Sequence, residues 1–247
     1  MSAWRRWGPP LGLALAVIAL WQVLHWIAGR AAVASPWETA LHTWNLLHNP
    51  RLAGHAIETA RAFALAAAIA VLAGVALGLA LGAHRLTGDV AEPILMSLYS
   101  LPKVTLYPIM LLIFGLGISA KVAFGALHGI LPVMIFSMNA IRNLDRILIK
   151  SARAMALGPR ATAVHVLLPA ALPQIFTGVR LGVSLALLGT MIGELFASQR
   201  GLGFMLLAAI ERHDVHTIGA VIVLLTGFAL ALSAGLMAIE RRLHRSP

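Results

Sequence analysis

The sequence predicts an all-α membrane protein of about six transmembrane helices, and three observations carry that prediction. Charged residues make up only 11% of the 247 positions while hydrophobic residues make up 60%, against the roughly 25% charge of a soluble domain. A membrane helix takes ~20 consecutive apolar residues, so about six of them with short loops absorb this apolar content. Finally, residues 7–29, 62–83, 104–120, 122–141 and 215–239 contain no Asp, Glu, Lys or Arg, and a sixth apolar stretch near 173–196 contains only Arg180 and Glu194. None alternates like a barrel strand, and each is too long for one. Helices follow, because lipid forces each backbone polar group to find its partner within the segment. An ordinary soluble enzyme, a disordered chain and a fibrous protein are excluded. Cysteine is absent, so no disulfide or thiolate metal site is available.

The first span, about 8–28, follows Arg5 and Arg6. Ala31–Ala34 could mimic a cleavage site, but the apolar core exceeds the ~7–15 residues of a signal peptide, which favours an uncleaved anchor. Ser35-Pro36-Trp37-Glu38 then reads as a helix start, with an N-cap serine, proline at the first helical position and an acid in the first turn. Trp37, Leu41, Trp44 and Leu47 recur at helical spacing. This is a short helix lying on the outer membrane surface with its tryptophans at headgroup level, or one packed on the bundle.

The second span, about 60–83, carries Gly74, Gly78 and Gly82 on one face, a stripe that lets another helix backbone approach closely. The third, about 94–117, is interrupted by Pro102 and Pro108, with Pro93 just before it; each removes a backbone bond and kinks the helix. The fourth, fifth and sixth spans are expected near 121–141, 173–196 and 216–239. The whole chain, 1–247, reads as one transmembrane domain.

The net charge of +10 is explained by topology. With six spans and both termini inside, 11 of the 19 Lys and Arg residues fall on cytoplasmic segments and 6 on external ones, leaving Lys103 and Arg180 near or within spans. Cytoplasmic loops collect Lys and Arg. No aromatic interleaving or nucleic-acid module accompanies the basic residues, so nucleic acid is not an expected partner.

The loop 142–170 is far longer than the ~2–8 residues that join neighbouring helices. Leu144, Ile147, Leu148 and Ser151 recur at helical spacing, Gly158-Pro159 stops that helix and turns the chain, and Thr162 to Leu168 forms a second short helix before the chain returns to the membrane at Pro169 and Pro173. The excess length suits a cytoplasmic docking element.

Here the sequence resembles the transmembrane permeases of ATP-binding cassette importers, in the group handling sulfonates, taurine, nitrate, bicarbonate and thiamine precursors. Those permeases carry Glu-Ala-Ala-x-x-x-Gly followed by a stretch ending in Leu-Pro. In this chain Ala152, Arg153 and Ala154 stand at the first three positions, Gly158 matches the glycine, and Leu168-Pro169 matches the end. Ser100-Leu-Pro-Lys103 through Phe114-Gly-Leu-Gly117 resembles the third span, Leu168 through Leu181 the fifth, and Gly193-Glu194 with Gly201-Leu-Gly203 the following outer loop. Ala152 and Arg153 depart from the motif, and the stretch from Gly158 to Pro169 is shorter than the pattern.

The resemblance implies an inner-membrane permease subunit, probed from outside by a periplasmic substrate-binding protein, paired with a second permease copy, and driven by cytoplasmic ATPase subunits. Ala152, Arg153, Ala154, Gly158, Arg160 and Pro169 would form the coupling element, a helix seated in a cleft of the ATPase. ATP and Mg2+ would be held by that partner, since this chain has no Gly-x-x-x-x-Gly-Lys-Ser/Thr loop. The chain itself is therefore expected to be a transport subunit without enzymatic activity.

Polar residues in the spans are the candidates for the pathway or its gate: Lys103, His128, Asn139, Arg180 and Glu194, with Thr105 and Ser137 beside them. Charge at membrane depth faces a cavity or a partner. Arg180 and Glu194 are fourteen residues apart, ~21 Å along a helix, so they do not pair with each other; Arg180 reaches toward the inner surface. Glu194 is either an interfacial structural acid or part of a gate, and His128 reads first as a hydrogen-bonded structural residue. His213, Asp214 and His216 come closest to a metal cluster, but side chains two apart do not align on a helix, so no metal site is expected. A gradient-driven secondary transporter would need an internal repeat with paired broken helices, and none is visible. An intramembrane enzyme would need converging acids or nucleophiles. The expected solute is a small organic or inorganic oxyanion, with a thiamine-type pyrimidine precursor as the alternative.

Overall fold

The computed structural model describes residues 3–243, which form helices and turns without a strand among them. Helix α1 (Ala3–Ala28) is apolar, and its described side chains are mostly exposed. The chain after it folds back: Trp21 Nε1 donates to Ala34 O at 3.1 Å, and His25 Nδ1 lies 2.6 Å from Val33 O. Helix α2 (Pro36–Leu47) starts with a reciprocal capping box. Ser35 Oγ accepts from Glu38 N at 3.2 Å, and Glu38 Oε2 accepts from Ser35 N at 3.1 Å, satisfying two otherwise unpaired donors. Thr39, Thr43 and Leu46 face the bundle, while Trp37, Leu41 and Trp44 point away from it. The helix thus packs on the bundle through its threonine face and leaves the tryptophan row outward.

Helix α3 (Pro50–Gly82) begins at Pro50 rather than near residue 60. Its 33 residues make a rod of ~50 Å, well beyond the ~30 Å hydrocarbon core. The expected third span is not one helix. Helix α4 (Arg85–Ser100) and helix α5 (Tyr107–Phe114) are separated by a 3₁₀ turn at Lys103–Leu106, and the two halves are bent by 82°. Leu101 is extended (ψ 137°) because the ring of Pro102 crowds a helical conformation in the residue before it. Pro93 lies inside α4 without ending it.

Helix α6 (Ile118–Arg142) is the buried axis of the bundle. Gly74, Gly78 and Gly82 of α3 run parallel to it, so close that a Cβ on Gly78 would lie 2.5 Å from Met134 O and one on Gly82 2.6 Å from Met138 O. In lipid this close backbone packing replaces the missing hydrophobic drive between helices. Beyond α6 come α7 (Arg146–Ala154), the single turn α8 (Pro159–Thr162), a π-helical turn (Ala163–Leu167) and α9 (Leu168–Ala197). α9 runs antiparallel to α6, crossing it backbone to backbone where Gly182 meets Gly129. Helix α10 (Leu202–Glu211) caps the end where α3 and α6 begin, and α11 (Val215–Leu243) closes the bundle.

Among the described residues, five helices are long and apolar enough to cross a membrane, or up to six with the bent pair as one span. No proline break separates α8 from α9: residues 159–196 form one helical run. Pro169 and Pro173 have no amide hydrogen to give to the ladder, yet the run continues through them, and the π turn just before Pro169 widens it, with Leu168 N bonding Ala163 O five residues back.

Candidate functional site

The loop after α6 forms an elbow. Asp145 caps α7, its Oδ1 accepting from Ile147 N at 2.8 Å. At the other end the helix stops in a Schellman turn: Leu157 N donates to Ala152 O at 3.1 Å and Ala156 N to Arg153 O at 3.0 Å. The left-handed residue of that turn is Ala156 (φ 51°), and Gly158 is extended (φ −65°, ψ 161°) as the N-cap of α8. The expectation that Gly158 turns the chain is therefore corrected. The turn precedes it by two residues, because Pro159 at the start of α8 needs an extended residue before it.

The elbow sorts the expected coupling residues. Ala152 is buried within the chain, where it seats α7. Arg153, Ala154, Gly158, Arg160 and Pro169 are exposed. A Cβ on Gly158 would meet nothing within 4 Å, so its lack of a side chain answers to nothing among the described residues.

At the opposite end, Glu194 is completely buried and forms the centre of a polar cluster. Thr59 Oγ1 of α3 lies 2.8 and 2.9 Å from its two carboxylate oxygens, and Gly203 N donates to Oε2 at 2.9 Å. Lys121 of α6 is 3.7 Å from Glu194 and 3.2 Å from Glu58, and it donates to Arg200 O at 2.7 Å. Thr59 Oγ1 also accepts from Leu202 N at 2.8 Å, and His55 Nδ1 accepts from Gly201 N at 3.1 Å. Two carboxylates thus share one ammonium, and hydroxyl and amide donors meet the remaining negative charge. Breaking such a buried set leaves an uncompensated charge, which is what makes it stiff.

The cluster pins the turn at 198–203 onto α3 and α6, beside a cavity of about 180 Å³ lined by Glu58, Gly117, Lys121, Ser198 and Arg200. Gly201 (φ 127°) completes it: a Cβ there would overlap the Glu194 carboxylate. Sequence reasoning found Glu194, and Gly201 as part of the outer loop that the resemblance marks, but missed Lys121, Thr59 and Glu58. Lys121 counted as an outer surface charge, yet its side chain is 1% exposed.

The other expected pathway residues do not gather around one site. His128 is buried, its Nδ1 2.9 Å from Phe124 O and its ring against Phe124 and the backbone of Gly189. This is the structural reading of that histidine. Lys103 folds back, donating to Tyr99 O at 3.0 Å with its ammonium over the Tyr99 ring. Arg180 does not run free to the inner surface: its Nε lies 2.9 Å from Glu240 Oε2 of α11, and Thr177 donates to the same carboxylate at 2.7 Å. Asn139 Nδ2 is 3.5 Å from Glu92 Oε1 of α4. One turn on, Arg142 pairs with Glu92 at 2.7 Å and with Asp89. No group of three His, Cys, Asp or Glu able to hold a metal occurs among the described residues.

Comparison with known proteins places this architecture. A family model described as binding-protein-dependent transport system inner membrane component matches residues 70–246. The putative aliphatic sulfonates transport permease protein SsuC of Bacillus subtilis (strain 168) is 28% identical over 243 residues, covering 97% of this chain and 88% of the relative. The taurine transport system permease protein TauC of Escherichia coli (strain K12) is 31% identical over 179 residues, covering 72% of this chain and 65% of the relative. A crystal structure of an amino acid ABC transporter with histidines shares the fold, with a TM-score of 0.60 at 20% identity over 76% of this chain and 92% of that one.

Proposed function

Since the chain belongs to the family of binding-protein-dependent transport system inner membrane components, we propose that it forms half of the pathway of an ATP-driven importer, coupled through the elbow 146–162 to a cytoplasmic ATPase. It is a multi-pass protein of the bacterial inner membrane and a transport component, not an enzyme. ATP and its Mg2+ belong to the ATPase in this reading, and a second permease copy supplies the other half of the path. Both termini and the elbow lie on the cytoplasmic side. The cluster around Glu194 then lies on the periplasmic side, where a binding protein delivers the solute.

The observation that carries the coupling role is the open position at Gly158 between the exposed Arg153 and Arg160. A bare backbone flanked by two guanidiniums suits insertion into an acidic cleft. Because nothing among the described residues occupies the space, a large side chain there obstructs a partner without disturbing the fold. The test is co-purification of the cognate ATPase with Gly158→Trp and Arg153→Glu, at unchanged thermal stability of the permease. Loss of the ATPase from either variant is expected. Unchanged binding and unchanged transport-coupled hydrolysis in both would overturn the assignment.

The solute we infer is a small oxyanion of the sulfonate or taurine kind, supported by the names of the two relatives. Thermal-shift measurement of the partner binding protein against taurine, alkanesulfonates, nitrate and a thiamine-type pyrimidine decides this. Stabilisation by the pyrimidine alone refutes the oxyanion. The Glu194 cluster is assigned to closing the outer end, and uptake through Glu194→Gln at parental rate and affinity would refute that role.

A further inference from the structure

One side chain ties the bent span to the end of α6 from which the elbow departs. Arg142 is the last residue of α6, three positions before Asp145, the cap of α7. Its guanidinium reaches across to α4, where Asp89 and Glu92 stand one turn apart: Nη1 is 2.7 Å from Glu92 Oε2, and Nη2 pairs with Asp89. The arginine stem lies on the α4 backbone itself, since a Cβ on Gly88 would come within 2.6 Å of Arg142 Cδ. Asn139, one turn earlier on α6, also faces Glu92. Behind the clamp is a cavity of about 480 Å³, walled by Asp89 and Arg142 on one side and by Ile149 of α7 and Leu167 of the π turn on the other. In this region a cavity therefore lies between α7 and α4, and Arg142 bridges to α4 at its rim.

We propose that Arg142 is a positioning residue for transport: its clamp on Asp89 and Glu92 makes α4, and with it the bent half-span α5, follow the displacement of α7. The proposal rests on the reading of α7 as the ATPase-docking helix. The chemistry suits a transmitter. A guanidinium between two carboxylates is directional and bidentate in reach. The arginine side chain is 18% exposed and the two acids 51% and 39%, so the pairs are wet enough to release and re-form. Gly88 keeps α4 close enough for the contact.

The chain has no cysteine of its own, which allows a single introduced reporter. A spin label at Leu112→Cys, on the outward face of α5, reads local mobility in the complete transporter with its ATPase, with and without ATP and vanadate. The parent is expected to change its spectrum on ATP trapping. Arg142→Glu is expected to lose that change while the ATPase still co-purifies, and Arg142→Gln to weaken it. The reversed set Arg142→Glu with Asp89→Arg and Glu92→Arg is expected to restore it, which a merely structural role for Arg142 would not produce. An ATP response that persists in Arg142→Glu overturns the proposal, and so does a parent that shows no response at Leu112. Failure of charge reversal to rescue a folded variant overturns it too. Gly158→Trp and Arg153→Glu separate the two readings: if both keep the ATPase bound and its hydrolysis coupled, the docking assignment fails on its own, whatever the clamp variants show.

Discussion

Replacing Gly201 by alanine tests the cluster around Glu194 with a built-in control. Two glycines occupy the same rare backbone region, Gly201 at φ 127° with ψ 167° and Gly117 at φ 137° with ψ −158°. A non-glycine residue there costs ~1–3 kcal/mol. The surroundings differ. A Cβ on Gly117 would meet nothing within 4 Å, while one on Gly201 would overlap the Glu194 carboxylate. That carboxylate has no freedom to retreat, being held by Thr59, Gly203 N and Lys121. Displacing it loses at least one charge-assisted hydrogen bond of ~1.5–3 kcal/mol.

Gly117→Ala therefore lowers stability by the backbone cost alone, and Gly201→Ala by about 2–3 kcal/mol more. For a chain of this size that difference is about 5–10 °C in unfolding midpoint. Detergent-solubilised protein, followed through its tryptophans at one fixed scan rate, gives the comparison. Equal midpoints for the two variants would falsify the claim that Glu194 is immobilised against Gly201.

Three further outcomes follow from the same geometry. Gly78→Ala drives a Cβ to 2.5 Å from Met134 O and is expected to cost ~1–3 kcal/mol, whereas Gly54→Ala, with open space around it, gains up to ~1 kcal/mol of helix propensity; matching signs in thermal unfolding would contradict the packing of α3 on α6. Ala156→Gly relieves the left-handed turn and stabilises the elbow by about 1 kcal/mol, read as slower amide exchange at Leu157, while Gly158→Ala, at a backbone that alanine adopts freely, gains ~0.4–1 kcal/mol by a different route, the lower entropy of the unfolded chain. Burial pushes the Asp214 carboxyl up, but hydrogen bonds from Thr217 Oγ1 and N outweigh it and hold its pKa below the ordinary aspartate value. A depressed carboxylate stabilises above its unfolded pKa and loses that contribution as pH falls through the folded one, so Thr217→Val should lower the unfolding midpoint at pH 7 and approach the parent below that depressed value.

What could be read from the sequence was mostly local. The start of α2 is written in four consecutive residues, Ser35 to Glu38, and the capping box forms as those residues dictate. The stripe of Gly74, Gly78 and Gly82 is a spacing on one helix, and it meets α6 as a spacing should. Pro102 signalled an interruption, though not an 82° bend, because the angle depends on what α4 and α5 pack against. The polar cluster was illegible for a different reason. Thr59 and Glu194 are 135 positions apart, and no periodicity links them. Lys121 misled because a lysine at a helix start normally faces water. Arg180 likewise hid its partner, Glu240, on another helix. At the elbow, Gly158-Pro159 drew attention away from Ala156, whose left-handed backbone follows from the hydrogen bonds closing α7 rather than from its own preference.

The crossing of Gly182 over Gly129 has a mechanical meaning. It falls near the middle of α9: Leu168 is fourteen residues to one side and Glu194 twelve to the other, ~21 and ~18 Å along the axis. Gly189 against Phe124 O and Gly193 against Lys121 continue the contact toward Glu194, and Gly178 against Phe136 continues it the other way, so α9 is keyed to α6 along both arms and not at one pivot. Close packing along both arms makes α6 and α9 one stiff double beam through the centre of the bundle.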